Sequence, residues 1–129
     1  MSHRYDDISF AAFSKEMVLS FHHAVLPNLL CERVQGFLLD LCQDLKENGC
    51  QFIGHIKVLL KNDQGRFYFF SVTSFDQFPA CKGNITKEIS RITLTMNVIV
   101  YGLPESQVSI LVNKKLQNIN QFIENTKGG

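Results

Sequence analysis

The sequence predicts an α+β fold: a mostly antiparallel sheet of about four strands with two helices packed on one face, in the order strand-helix-strand-strand-strand-helix. Three observations lead there. The apolar period switches from two to three or four and back along the chain, a tight "NDQG" joins two alternating runs, and no repeat, linker or low-complexity tract divides the 129 residues.

The first element is "DISFAAFS", where Ile8, Phe10 and Ala12 alternate with Ser9, Ala11 and Phe13, the pattern of a strand with both faces at least partly covered. The following "KEMVLSFHHAV" fits a strand continuation or a short helical turn, and periodicity does not choose between them. From Pro27, the residues Leu30, Val34, Phe37, Leu38, Leu41 and Leu45 recur at helical spacing, and Gly49 suits a left-handed C-terminal cap. "QFIGHIKVLLKND" then alternates, with Phe52, Ile56, Val58 and Leu60 on one side and Ile53, His55, Lys57 and Leu59 on the other. Its turn leads into "RFYFFSVTS", the second arm of a hairpin.

The stretch "FDQFPACKGN" reads as a loop by its Pro79, Gly83 and Asn84. Next, "EISRITLTMNVIVYG" is the longest strand signal, with Ile92, Leu94, Met96, Val98 and Val100 facing opposite to Arg91, Thr93, Thr95 and Asn97. The chain closes in a helix that Pro104 suits at its first turn, with an apolar stripe of Val108, Leu111, Val112, Ile119, Phe122 and Ile123. Two helices on one sheet face leave the other face open. That face is expected to carry His55, Lys57, Ser71, Thr73, Thr93, Thr95 and Asn97, with Phe67 and Phe69 among them.

A chain of this length with 45% hydrophobic residues builds one core, so residues 1–129 are expected to form a single domain. The formal net charge of +1 creates no whole-molecule field toward nucleic acid or a bilayer. No apolar run is long enough to span a membrane, and "MSHRYDDISF" lacks the basic start and apolar block of a signal peptide, so a cytoplasmic protein is expected. Cys31, Cys42, Cys50 and Cys81 follow no metal-binding spacing and are expected to be reduced.

The chemistry-bearing motifs of common enzymes are missing: there is no GxSxG, no HExxH and no GxxxxGK[ST]. Cys31 and Cys42 stand about 16 Å apart along one helix, too far to share an ion. His22 and His23, being adjacent, diverge in a strand or helix, so no metal site is expected. Phe67 and Phe69 beside Lys57, Arg66 and Arg91 have the ingredients of a base-stacking platform, but "RFYFF" lacks the glycines of the RNA-binding signature. Asn97 is unusual in mid-strand and calls for a hydrogen bond across the sheet.

Taken in order, "HRYDDISFAAFSKE", a helix, "GHIKVLL", "RFYFFSVTS" and a final strand and helix resemble the C-terminal domain of CobW-type GTPases, a family of metal-chaperone and cobalamin-related proteins. His3 with Asp6, Asp7, Ile8 and Ser9 is similar to the family's opening strand. "HIKV" lies where the family carries Arg-x-Lys-Gly: His55 replaces the arginine, Lys57 matches the lysine, and Val58 departs from the glycine. "FSVTS", Pro79 and "LTMNVIV" with Asn97 follow the order of divergent CobW-like proteins.

The resemblance implies a non-enzymatic accessory domain, without the GTPase motifs and without a cofactor, that binds a protein partner in a metal- or cobalamin-related pathway. That partner would be a CobW-type GTPase or a second copy of the chain, and neither nucleic acid nor membrane is expected. His55, Lys57, Thr73, Thr95 and Asn97 are the expected interface residues. The competing expectation is a small-ligand or metal-cargo site built from His55, Asn97 and a loop cysteine such as Cys81.

Overall fold

The computed structural model describes residues 10–124. His3 and the segment Asp6 to Ser9 lie outside them. The elements are β1 (Phe10–Val25), α1 (Pro27–Glu47), β2 (Phe52–Lys61), β3 (Phe67–Val72), β4 (Ala80–Gly83), β5 (Ile89–Tyr101), α2 (Glu105–Gln117) and α3 (Ile119–Glu124). The strands form one sheet in the order β1-β5-β2-β3-β4, and every neighbouring pair is antiparallel.

The α+β class stands, with two amendments. The sheet has five strands, because Ala80–Gly83, inside the expected loop, pairs with β3 through Phe70↔Cys81 and Phe69↔Lys82. The closing helix is also two helices, broken at Asn118, whose N–H bonds back to Lys115 O. "KEMVLSFHHAV" continues β1 as strand, paired residue for residue with β5 from Phe10↔Tyr101 to Ser20↔Arg91. A long central partner decides what local periodicity leaves open.

α1 begins at Pro27, whose missing N–H costs nothing in a first turn. It ends where Gly49, at φ +105°, lets the N–H of Cys50 return to Leu45 O. Its stripe of Leu30, Val34, Phe37, Leu38, Leu41 and Leu45 is buried against Ile56, Leu60, Ile92, Leu94 and Met96 of the sheet. The β2–β3 turn is held by Asn62, whose side-chain oxygen accepts from the N–H groups of Gln64 and Arg66. Among the described residues, no helix is long and apolar enough to cross a membrane.

One irregularity shapes the open face. The β2–β5 register slips between Ile53↔Val100 and His55↔Ile99, leaving Gly54 as an extra residue. Ile53 therefore joins Ile56, Val58 and Leu60 in the core, and Phe52 turns out to solvent, the reverse of the expected alternation at that end. Glycine suits the close approach there: a Cβ on Gly54 would lie 3.0 Å from Ile99 O and 3.1 Å from the Tyr101 ring, so its neighbours would have to give by a few tenths of an ångström.

Candidate interaction face

Opposite the helices, the sheet presents its second face, and the strand registers define its rows. One end is apolar: Phe10, Tyr101 and Phe52 stand side by side, with Tyr101 ring centroids 5.6 Å from Phe10 and 4.9 Å from Phe52. The next row is Ala12, Ile99 and His55. Then comes a polar row of Ser14, Asn97, Lys57 and Ser71. Beyond it lie Glu16, Thr95, Leu59, Phe69 and Lys82, followed by Val18, Thr93, Lys61 and Phe67.

The structure thus brings four of the five expected residues, His55, Lys57, Thr95 and Asn97, onto one surface. Asn97 has the cross-strand bond its position calls for: Ser14 Oγ donates to Asn97 Oδ1 at 2.6 Å. Lys57 sits directly opposite Asn97 on the other flank. Thr73 is the exception. β3 ends at Val72 because the Gln77 side-chain oxygen accepts from both the N–H and the hydroxyl of Thr73, at 2.6 and 2.9 Å, folding the chain into a local turn off the sheet.

Sequence reasoning misses the aromatic end. Phe10 and Phe52 are 57% and 44% exposed, and alternation alone does not bring them together. The available signal is Gly54, since a glycine inside a strand pattern marks a bulge or a close approach. The charge pattern is missed as well. Among the described residues, the strands place Lys57, Lys61, Lys82 and Arg91 on this face against one carboxylate, Glu16, so this part of the surface is basic although the chain is nearly neutral.

The cargo constellation of His55, Asn97 and Cys81 is not assembled. Cys81 lies beside Phe70 on the helix-covered side of the sheet, and it is joined in a disulfide to Cys31 of α1, with the Cα atoms 6.6 Å apart. That bond corrects the expectation of four reduced cysteines: the fold brings together two residues separated by 50 positions. His22 and His23 are both exposed, and His22 Nδ1 faces Glu124 Oε1 at 3.4 Å. Among the described residues, no three His, Cys, Asp or Glu side chains converge as metal ligands.

Cys42 and Cys50 are free and buried. Burial, and secondarily the neighbouring Cys50, pushes the Cys42 thiol up to about 11, and burial raises Cys50 as well. Both are therefore poor nucleophiles at neutral pH. Iodoacetamide should modify the native, unreduced chain only slowly, and after unfolding without reductant it should add two carbamidomethyl groups by mass spectrometry. Four would mean that Cys31 and Cys81 are not bonded.

A groove of about 550 Å³ on the helix side is lined by Phe37, Leu111, Lys114 and Phe122 among others. Its Lys115 ammonium is already paired with Asp44 at 3.1 Å and Asp40 at 3.6 Å, so its charge is met from within.

No family model and no curated protein matches the chain. Two solved structures share a weak likeness: the Zn(II)-bound YjiA GTPase from E. coli, at 13% identity, and a Zn(II)-bound triple mutant of YjiA, at 14%. In both cases the match covers 78% of this chain and 29% of the other, with a TM-score of 0.40. The chain therefore spans under a third of the length of those proteins. YjiA is a CobW-family GTPase, and the similarity is a weak relation of fold to one part of it.

Proposed function

We propose that this chain is a non-catalytic accessory domain whose open sheet face binds a protein partner. The observation that carries this reading is the face itself: a sheet face that no described element covers, with an aromatic trio at one end, Phe10 and Phe52 exposed and Tyr101 half-buried, and an excess of cations over the rest. Exposed aromatic side chains grouped on one surface lose water-contacting area when a partner covers them, and aromatic anchors dominate the energetics of such interfaces. The cations select for an acidic partner surface and speed its approach. Two copies stacked face to face would oppose like charges, so the face suits a different protein. The sequence resemblance supports a CobW-type GTPase as that protein, in a metal- or cobalamin-related pathway.

The test is titration of the chain against a purified CobW-type GTPase by biolayer interferometry at low and high salt. Binding is expected, weakened by salt, by Lys57→Glu, and at least about tenfold by Phe52→Asp, the size of effect typical of an aromatic anchor. Circular dichroism should show both variants folded, because both side chains are exposed. Affinity unchanged in both variants would exclude this face. Stoichiometric zinc or cobalt uptake lost in His55→Ala would replace the reading with a cargo site.

A further inference from the structure

The outer edge of β1 is a different surface from the open face. In an antiparallel strand, the N–H and C=O of alternate residues point to the same side. Asn120 Nδ2 donates to Ser20 O at 2.9 Å, and the His22 N–H donates to Glu124 Oε1 at 3.1 Å. The even-numbered residues of β1 therefore direct their backbone groups away from β5, and α3 seals that edge at Ser20 and His22. From Phe10 to Val18 the corresponding groups have no partner among the described residues. Such an edge is a template for strand addition.

We infer that this stretch pairs antiparallel with the same stretch of a second copy, about a twofold axis at Ser14, to make one continuous ten-stranded sheet from two five-stranded ones. The register follows from the side chains. Centred on Ser14, it sets Phe10, 57% exposed, opposite Val18, 49% exposed, of the other copy, twice over, and opposes no like charges. Centring on Lys15 or Glu16 opposes two ammonium groups or two carboxylates, and centring on Phe13 sets Phe10 against Glu16.

A second feature lies over the same seam. Asn113 of α2 accepts a hydrogen bond from Lys15 Nζ of β1 at 3.4 Å, and Ile110 is three residues away on the same side of that helix. Ile110 is 68% exposed, so the helix that touches β1 at Lys15 carries a large aliphatic side chain open to solvent, which the second copy's α2 would cover. The pairing takes up Phe10 and Val18 at the margin of the open face, leaves the rest of that face free and joins two of them side by side; its readout is the mass of the chain alone, so it is tested separately from the partner reading.

Sedimentation velocity of the full chain should give twice the 14.7 kDa chain mass at micromolar concentration. Val18→Lys should shift it to the single mass, and adding Phe10→Glu should restore the doubled mass by placing opposite charges across the seam. Ser14→Cys puts two thiols at the axis, opposite each other as in a strand pair, while Cys42 and Cys50 are buried and Cys31 and Cys81 are bonded. Mild oxidation should therefore yield a covalent dimer, and Ser20→Cys should not. A monomer throughout, or a dimer that Ser14→Cys fails to cross-link, overturns the inference.

Discussion

Phe70→Ala should cost about 3–5 kcal/mol of unfolding free energy, the usual range for removing a buried phenyl group. Phe70 is fully buried in β3, between Val58 of β2 and Cys81 of β4, with the Tyr68 ring 6.4 Å away. It stands on the helix-covered side, where β4 and α1 are tied together. Removing the ring leaves a cavity at the point where the short edge strand joins the core, and collapse there is resisted by strands on both sides. A domain with a net stability of about 5–15 kcal/mol would lose a large share of it. Urea denaturation should show a lower midpoint with an unchanged slope, and Phe70→Leu should recover most of the loss. A cost below about 1 kcal/mol would mean that β3 is not packed as described.

Gly83→Ala should destabilise the β3–β4 pairing by about 1–3 kcal/mol from backbone strain alone, with a steric term added. Gly83 has φ +148°, and a Cβ there would fall 2.0 Å from Phe67 O and 2.8 Å from the Tyr68 Cα. Neither neighbour is a flexible side-chain end that can swing aside. The adjacent bond from the Asn84 N–H to Phe67 O, 2.9 Å, would be displaced with it. Hydrogen exchange followed by mass spectrometry should report the damage as faster exchange in peptides covering β3 and β4. Gly65→Ala is the control: it also has positive φ, but a Cβ there meets nothing within 4 Å, so only the strain remains.

How far the sequence can be read depends on where side-chain pattern alone determines geometry. The stripe of α1 and the alternation of β5 are legible because each is long and buried on one side, so every residue reports the same face. β4 is not, since four residues that follow Pro79 and end in Gly83 carry no period, and their strand character comes only from pairing with β3. The length of β1 is hidden for a related reason: "KEMVLSFHHAV" is extended because β5 lies beside it. Asn97 can be singled out by its rarity in strands, but its partner, Ser14, is 83 residues away and visible only in the fold. Counting along β3 places Thr73 on the sheet, and the Gln77 side chain ends the strand one residue before it. Cys31 and Cys81 lie in different elements, and nothing in their spacing foretells the bond.

The slip at Gly54 also gives the surface a direction. By turning Phe52 outward beside Tyr101, it gathers three rings, Phe10, Tyr101 and Phe52, in the row at one end, while among the described residues the lysines, Arg91 and Glu16 of the face lie at or beyond the row of Lys57. A partner with matching oily and acidic regions fits in a single orientation, because a half-turn would set its carboxylates on phenyl rings and its apolar groups on ammonium ions. One residue without a side chain thereby sharpens the difference between the two ends of the face, and with it the orientation that the proposed partner would take.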